Sequence, residues 1–123
     1  MTTRMAAIVI GIVFIAVGVL GFIPNPLISA TGLFAANSMH NLVHIVSGLV
    51  LLAGAYTGLG SALALKIIGA VYGLVTILGL IVGPGMLLGI VHINAADNWL
   101  HVFLTIVILG AGFLLPEEKM ATA

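Results

Sequence analysis

The stretch MAAIVIGIVFIAVGVLGFI, residues 5–23, decides the class of this protein. It carries no charged side chain, and the prolines of PNP (24–26) follow it. A helix rises about 1.5 Å per residue, so roughly 20 apolar residues cross a hydrocarbon core of about 30 Å. The prolines remove backbone donors and disfavour helix in the residues before them, which predicts the helix end. The stretch is therefore predicted to be a membrane-spanning helix.

Three further apolar runs follow, and each is bounded by a break. The second ends at TGLGS (57–61), the third at GPG (83–85) and the fourth at PEEK (116–119). We predict an all-α integral membrane four-helix bundle, folded as a single transmembrane domain over residues 1–123. Its spans are predicted at about 5–23, 38–57, 62–82 and 97–115.

The composition agrees with this class and excludes several functions. Of all residues, 63% are hydrophobic and 5% are charged, whereas about a quarter are charged in soluble domains. The chain has no cysteine, which excludes disulfides and thiolate metal sites. A formal net charge of zero offers no basic surface for nucleic acid. The expected partners are membrane lipids and other membrane protein subunits or a second copy, and not nucleic acid.

The basic residues predict how the chain is oriented. With four spans, Arg4, Lys66 and Lys119 all fall on one side of the membrane. The positive-inside rule makes that side cytoplasmic, so both termini are predicted to be cytoplasmic. Residues 1–23 also resemble a signal peptide, but the apolar run is long and no clean A-x-A site follows. We therefore predict a true span and a multi-pass protein of the bacterial cytoplasmic (inner) membrane.

The chain contains an internal repeat, with one unit at 11–58 and the other at 69–115. GIVFIAVGVLGFI (11–23) aligns with GAVYGLVTILGLI (69–81), and GLFAANSMHNLVH (32–44) aligns with GIVHINAADNWLH (89–101). Each unit contains two spans, so both units have the same orientation in the membrane. This predicts two tandem parallel transmembrane hairpins related by a pseudo-two-fold axis along the membrane normal.

Polar side chains form one stripe on helix 2 and another on helix 4. NSMHNLVH (37–44) and NAADNWLH (94–101) place them at i, i+3, i+4 and i+7, which share one helix face. A polar group left unsatisfied in lipid is costly, so both stripes are expected to face the bundle interior. The pseudo-symmetry would bring His44 near His101 and His40 near Asp97. The stripe residues are Asn37, His40, Asn41, His44, Asn94, Asp97, Asn98 and His101.

One interpretation of the stripes is purely structural. Asn37 and Asn94 stand where a helix begins and suit the N-cap, and Asp97 falls at the capping-box position. Capping does not account for His44 and His101, which lie two turns into their helices. In the structural interpretation, the stripes together form an interhelical hydrogen-bond network.

Two functional interpretations stay open beside it. Histidines on facing helices could ligate heme, and a single histidine could hold a chlorophyll-type pigment. His40 and His44, at i and i+4, could hold a divalent metal together with Asp97 or His101. Histidine and Asp97 could also move protons or ions, but helices 1 and 3 carry little polar beyond Tyr72 and Thr76 to continue a relay.

The chain resembles a family of small bacterial four-helix membrane proteins, known as domain of unknown function 4383. The resemblance rests on N-x-x-H-N-x-x-H at the start of helix 2, on NAADNWLH at the start of helix 4, and on glycine-rich helices 1 and 3. It covers nearly the whole chain. It implies that the eight stripe residues are the family's signature positions, and it implies no established activity.

The sequence predicts a non-enzymatic accessory or structural subunit of a larger membrane assembly, with no cofactor. Neither paired carboxylates nor a nucleophile with a base can be recognised in it, and glycines with GxxxG spacing suit close helix contact. The alternative is a cofactor-binding membrane protein. In that case His44 and His101 would be ligands to heme, a chlorophyll-type pigment or a divalent metal.

Overall fold

Helices make up most of the chain, and the structure confirms an all-α four-helix membrane bundle. The computed structural model describes residues 1–117, so Glu118 and the orienting residue Lys119 lie outside the described residues. Each helix within this range is long and apolar enough to cross a membrane. The helices are α1 (Thr3–Leu20), α2 (Ser38–Tyr56), α3 (Ser61–Val82) and α4 (Ala95–Leu114).

The first helix ends at Leu20, earlier than the prolines predict. The Asn25 side chain organises the segment beyond it, because its Nδ2 donates to the carbonyl oxygens of Leu20 and Ile28, each at 2.9 Å. Its Oδ1 accepts from the backbone N–H of Ile28 at 2.7 Å. These bonds satisfy backbone groups that a continuing helix would have satisfied, and they turn the chain toward α2.

The two long connections contain short strands that sequence reasoning did not predict. In the first, β1 (Ile28–Ser29) pairs in parallel with β2 (Phe34–Ala35). In the second, β3 (Gly85–Leu87) pairs antiparallel with β4 (Val91–Ile93). Strands this short give no periodic signal, and they form because a connection packed on the bundle must pair its own backbone groups.

The helices pack mainly as two pairs, α1 with α2 and α3 with α4. Small residues allow the close contact: an added Cβ on Gly21 would collide with Asn41, and one on Gly79 would collide with Asn98. These two contacts occupy equivalent positions of the repeat. Between the pairs lies a core that includes Phe14, Leu51, Leu65, Tyr72 and Ile108. The outward faces carry large exposed apolar side chains, as a lipid-facing surface requires.

Candidate functional site: a three-histidine centre

Three buried histidines from both hairpins meet inside the bundle. His40 and His44 lie one turn apart on α2, and His101 comes from α4. One ring nitrogen from each lies within 4.8 Å of the other two. The side chains are 2%, 5% and 2% exposed, respectively. We call these residues the three-histidine centre. The predicted approach of His44 to His101 is seen, with ring centroids 6.5 Å apart.

The asparagine caps set where α2 and α4 begin, and so where the histidines lie. Asn37 Oδ1 accepts the backbone N–H of His40 at 2.9 Å. Asn94 Oδ1 accepts the N–H of Asp97 at 2.9 Å, and Asp97 Oδ2 accepts the N–H of Asn94 at 2.9 Å. This confirms the two predicted N-caps and the capping box.

The same asparagines also join the two halves of the molecule reciprocally. Asn37 Nδ2 donates to the carbonyl oxygen of Ile90 at 2.9 Å, and Asn94 Nδ2 donates to that of Leu33 at 2.9 Å. Each helix start is therefore tied to the connection of the other hairpin. Because Leu33 and Ile90 are equivalent in the repeat, the two hydrogen bonds are related by the pseudo-two-fold symmetry. This reciprocal pair of bonds holds the starts of α2 and α4 side by side, which brings His101 close to the α2 histidines.

A backbone contact determines which nitrogen of His40 is available. Its Nδ1 lies 2.8 Å from the carbonyl oxygen of His92 on β4. A carbonyl oxygen only accepts, so Nδ1 must carry the proton. In the neutral ring, Nε2 then has a free lone pair. Histidines that bind metals commonly donate their other N–H to a carbonyl in this way, which orients the ring.

The centre contains buried nitrogen atoms without partners. Among residues 1–117, no hydrogen-bond partner is present for His40 Nε2, His44 Nδ1, or either ring nitrogen of His101. A buried polar atom left unpaired costs about 1–3 kcal/mol, and nearly all such atoms in native proteins are paired. Four of them in one small region form a set of buried lone pairs and donors that a single bound group could satisfy together.

The other stripe residues have structural contacts. The Asp97 carboxylate is used in the capping box and is not part of the three-histidine centre. Asn98 Nδ2 donates to the carbonyl oxygen of Gly79 at 3.1 Å. Asn41 and Asn98 pack against Gly21 and Gly79, and the Oδ1 atoms of both are buried without a partner within the described part of the chain.

Aromatic rings cover the histidines from the neighbouring helices. Phe14 lies 5.9 Å from His44 between ring centroids, and Tyr72 lies 5.6 Å from His101. The Tyr72 hydroxyl lies 3.2 Å from Ser47 Oγ, which ties α3 to α2. Sequence reasoning paired Phe14 with Tyr72 but assigned neither to the site. Their alignment in the repeat, opposite His44 and His101, was the available signal.

A small cavity adjoins the centre below the β3–β4 connection. Its volume is about 80 Å³, and Leu87, Leu88 and Val91 form its roof. Sites for small organic molecules usually measure about 300–1,000 Å³. The cavity therefore suits an ion with little water, and a heme or chlorophyll-type macrocycle would require the helices to separate.

Three imidazoles form a donor set for a transition metal. Zinc, copper, nickel and iron accept imidazole nitrogen, with zinc–nitrogen distances of about 2.0–2.1 Å. Ligand nitrogens around such an ion are roughly 3.3 Å apart for tetrahedral angles. The nitrogens of the centre lie within 4.8 Å of one another, so they must approach by at most about 1.5 Å to reach that spacing.

Comparison with known proteins gives one match. A family model described as a domain of unknown function, DUF4383, matches residues 4–114. No curated protein and no solved structure matches the chain. The matched range includes the three-histidine centre, both asparagine caps and both connections.

Proposed function

The chain belongs to the DUF4383 family, and we propose that it is a non-enzymatic membrane protein that binds one transition-metal ion at His40, His44 and His101. The observation that supports this is the group of buried, unpartnered imidazole nitrogens within 4.8 Å of one another. A metal ion is the simplest group that accepts lone pairs from three neutral imidazoles at once.

The contacts favour a metal over a purely structural role. An interhelical network would place a donor opposite each acceptor, as Ser47 and Tyr72 do at 3.2 Å. Within residues 1–117, the three histidines form no hydrogen bond to one another or to another side chain. The cavity volume of about 80 Å³ favours an ion over heme or a pigment.

The surroundings of the centre support a non-enzymatic role. Asp97, the acid nearest in sequence, is engaged by the N-cap of its own helix. The cavity leaves little room for a substrate beside an ion. We propose binding, storage or sensing of the ion as the activity.

Two basic residues support the proposed orientation in a bacterial inner membrane. Arg4 Nε donates to the carbonyl oxygen of Ala55 at 2.9 Å and its guanidinium lies 5.0 Å from the Tyr56 ring centroid. Lys66 Nζ lies 4.6 Å from the Phe113 ring centroid near the end of α4. Arg4 and Lys66 lie near the starts of α1 and α3, at the end of the bundle where α2 and α4 finish. The histidines lie near the starts of α2 and α4, at the opposite end. With the positive end cytoplasmic, the histidines lie toward the outer side.

A groove between α1 and α4 supports a second proposal, that the protein is an accessory subunit of a larger membrane assembly. The groove measures about 430 Å³ and includes Ala6, Gly110 and Ala111 in its wall. A Cβ added to Gly110 would meet no described atom within 4 Å. Small residues at such a surface allow a second helix to approach closely. Replacing Gly110 by Leu would fill the groove, and loss of a co-purifying partner would support this proposal.

The metal proposal is tested on protein purified gently from its native membrane. The absorption spectrum is recorded first, and a stoichiometric heme or pigment band would overturn the metal assignment. The chelated protein is then titrated with Co²⁺. We expect one equivalent to bind and to show visible bands of nitrogen ligation.

Variants then assign the ligands. His101→Leu and His44→Leu should each abolish the cobalt bands, whereas His92→Leu should preserve them at equilibrium because the His92 ring is not one of the three clustered ligating side chains. Retention of cobalt in both ligand variants, with circular dichroism showing folded protein, would disprove the assignment.

A further inference from the structure

We infer that the ion of the three-histidine centre is cuprous copper, Cu(I), and that Met86 and His92 are its first contact on the way in. The inference rests on the proposed metal centre and adds the identity of the ion. Three observations support it: the charge of the donor set, the number of donors, and the residues above the cavity.

The donor set is electrically neutral. The chain has no cysteine to supply a thiolate, and the described group of ligating side chains contains histidine alone. The charge of the ion is therefore not compensated within the centre. The free energy of transferring an ion from water to a medium of low dielectric constant rises with the square of its charge. This desolvation cost is therefore roughly four times smaller for a monovalent ion than for a divalent ion of similar size. This favours Cu(I) over Zn²⁺, Ni²⁺ or Cu²⁺.

The number of donors points the same way. Zinc with three protein ligands completes a tetrahedral shell with water. A buried water needs two to four polar partners, but the wall of the adjoining cavity is aliphatic apart from the histidines and Tyr72. The Tyr72 hydroxyl already pairs with Ser47. Three-coordinate binding is therefore favoured, and Cu(I), which has a filled d shell, accepts three nitrogen donors without a fourth ligand.

A soft donor pair lies on the segment that covers the site. Met86 and His92 are cross-strand partners in the β3–β4 ladder, next to the Leu87–Val91 pair whose side chains line the cavity. Cross-strand partners extend on the same face with Cβ atoms about 5 Å apart. Met86 is 49% exposed and His92 is half-buried, so both can be reached from outside. The thioether sulfur is a soft donor, which suits the soft ion Cu(I).

The backbone of His92 links this pair to the buried centre. Its carbonyl oxygen accepts from His40 Nδ1 at 2.8 Å. An ion held by Met86 and the His92 ring would thus be bound by the same residue whose carbonyl oxygen orients His40, the first buried ligand. The segment that covers the site is the β3–β4 connection, which follows Gly83 and starts at Gly85. Both glycines have positive φ (83° and 135°), a conformation that glycine adopts without strain.

The test uses the full chain in lipid nanodiscs, without oxygen and with ascorbate to keep copper reduced. Cu(I) is titrated against a chromogenic Cu(I) chelator, and Zn²⁺ and Co²⁺ are each titrated against an indicator for divalent metals. We expect one Cu(I) per chain, bound at least 100-fold more tightly than Zn²⁺, with an X-ray absorption edge typical of three nitrogen ligands. Zn²⁺ or Co²⁺ bound as tightly as Cu(I) would overturn the copper inference and leave the metal centre standing. Failure of all three ions to bind would overturn both.

The entry step is tested by the rate of copper transfer from the chelator. Met86→Leu should slow loading at least fivefold and leave the affinity within twofold, because the thioether is not part of the buried centre. Met39→Leu is the matched control, since that thioether is 44% exposed but lies on α2. Equal loading rates in Met86→Leu and in the unmodified protein would overturn the role of Met86.

Discussion

His40 Nδ1 lies 2.8 Å from the carbonyl oxygen of His92, and this contact joins α2 of one hairpin to β4 of the other. Because a carbonyl oxygen only accepts, Nδ1 carries the proton, and Nε2 of the neutral ring is a buried atom with a free lone pair. The centre is thus oriented by backbone that lies outside the helices.

His101→Leu is expected to leave the metal-free protein at least as stable as the unmodified protein. Both ring nitrogens of His101 are buried and unpaired within the described residues, so removing them relieves an unfavourable term of about 1–3 kcal/mol per atom. Leucine has a branched shape in place of the planar ring, and imperfect packing offsets part of this gain. Thermal unfolding in detergent after chelation measures the change.

The same variant distinguishes the metal centre from a structural network. Adding the ion should raise the midpoint of unfolding of the unmodified protein and leave that of His101→Leu unchanged, because an ion stabilises only the state that binds it. A marked loss of stability in metal-free His101→Leu would instead support a structural role for this histidine.

Asn37 and Asn94 are expected to stabilise the fold in two ways, by capping their own helix and by hydrogen bonding to the connection of the other hairpin. Substitutions can separate these two contributions. Aspartate retains the cap oxygen but cannot donate to the carbonyls of Ile90 and Leu33. Asn37→Asp should therefore cost less than Asn37→Ala, for which loss of the cap alone is about 0.5–2 kcal/mol. Chemical unfolding of the three proteins gives these free energies.

The reciprocal pair of hydrogen bonds also predicts that the effects of substituting Asn37 and Asn94 on stability are coupled. If both bonds hold the same pair of helix starts, Asn37→Asp with Asn94→Asp should differ from the sum of the single changes by about 0.5 kcal/mol or more. Strictly additive changes in unfolding free energy would show that the two hydrogen bonds act independently.

Gly21→Ala and Gly79→Ala are each expected to destabilise the bundle by about 1–3 kcal/mol. The added methyl group would collide with the side chain of Asn41 in the first case and with that of Asn98 in the second, so a buried amide must leave its packed position. Gly110→Ala is the matched control, because its methyl group meets no described atom within 4 Å and alanine favours helix by about 1 kcal/mol. Equal effects at all three glycines would rule out the asparagine contacts as the cause.

Tyr72→Phe is expected to lower stability slightly and to preserve metal binding. It removes the Tyr72–Ser47 hydrogen bond, and such bonds between membrane helices average about 0.6 kcal/mol. Ser47 retains its bond to the carbonyl oxygen of Val43 at 2.7 Å. Metal content and unfolding free energy are measured on the same preparation, and loss of the metal would contradict a centre made of the three histidines alone.

The apolar runs, the breaks and the caps were determined by the sequence alone. Apolarity over roughly 20 residues is a local property, and Asn37, Asn94 and Asp97 cap helices through bonds to residues three positions away. The spacing of the stripes also placed His44 opposite His101, because it follows from helix periodicity and the repeat.

Only the tertiary structure decided the composition of the centre. His40 joins it and Asp97 does not, although the repeat aligns these two residues. The difference comes from long-range contacts: the His92 carbonyl on β4 orients His40, whereas Asp97 bonds back to the start of its own helix. Neither the rotation of α2 against α4 nor the path of a short strand pair is set by local periodicity. Both depend on which distant groups can satisfy one another in the folded chain.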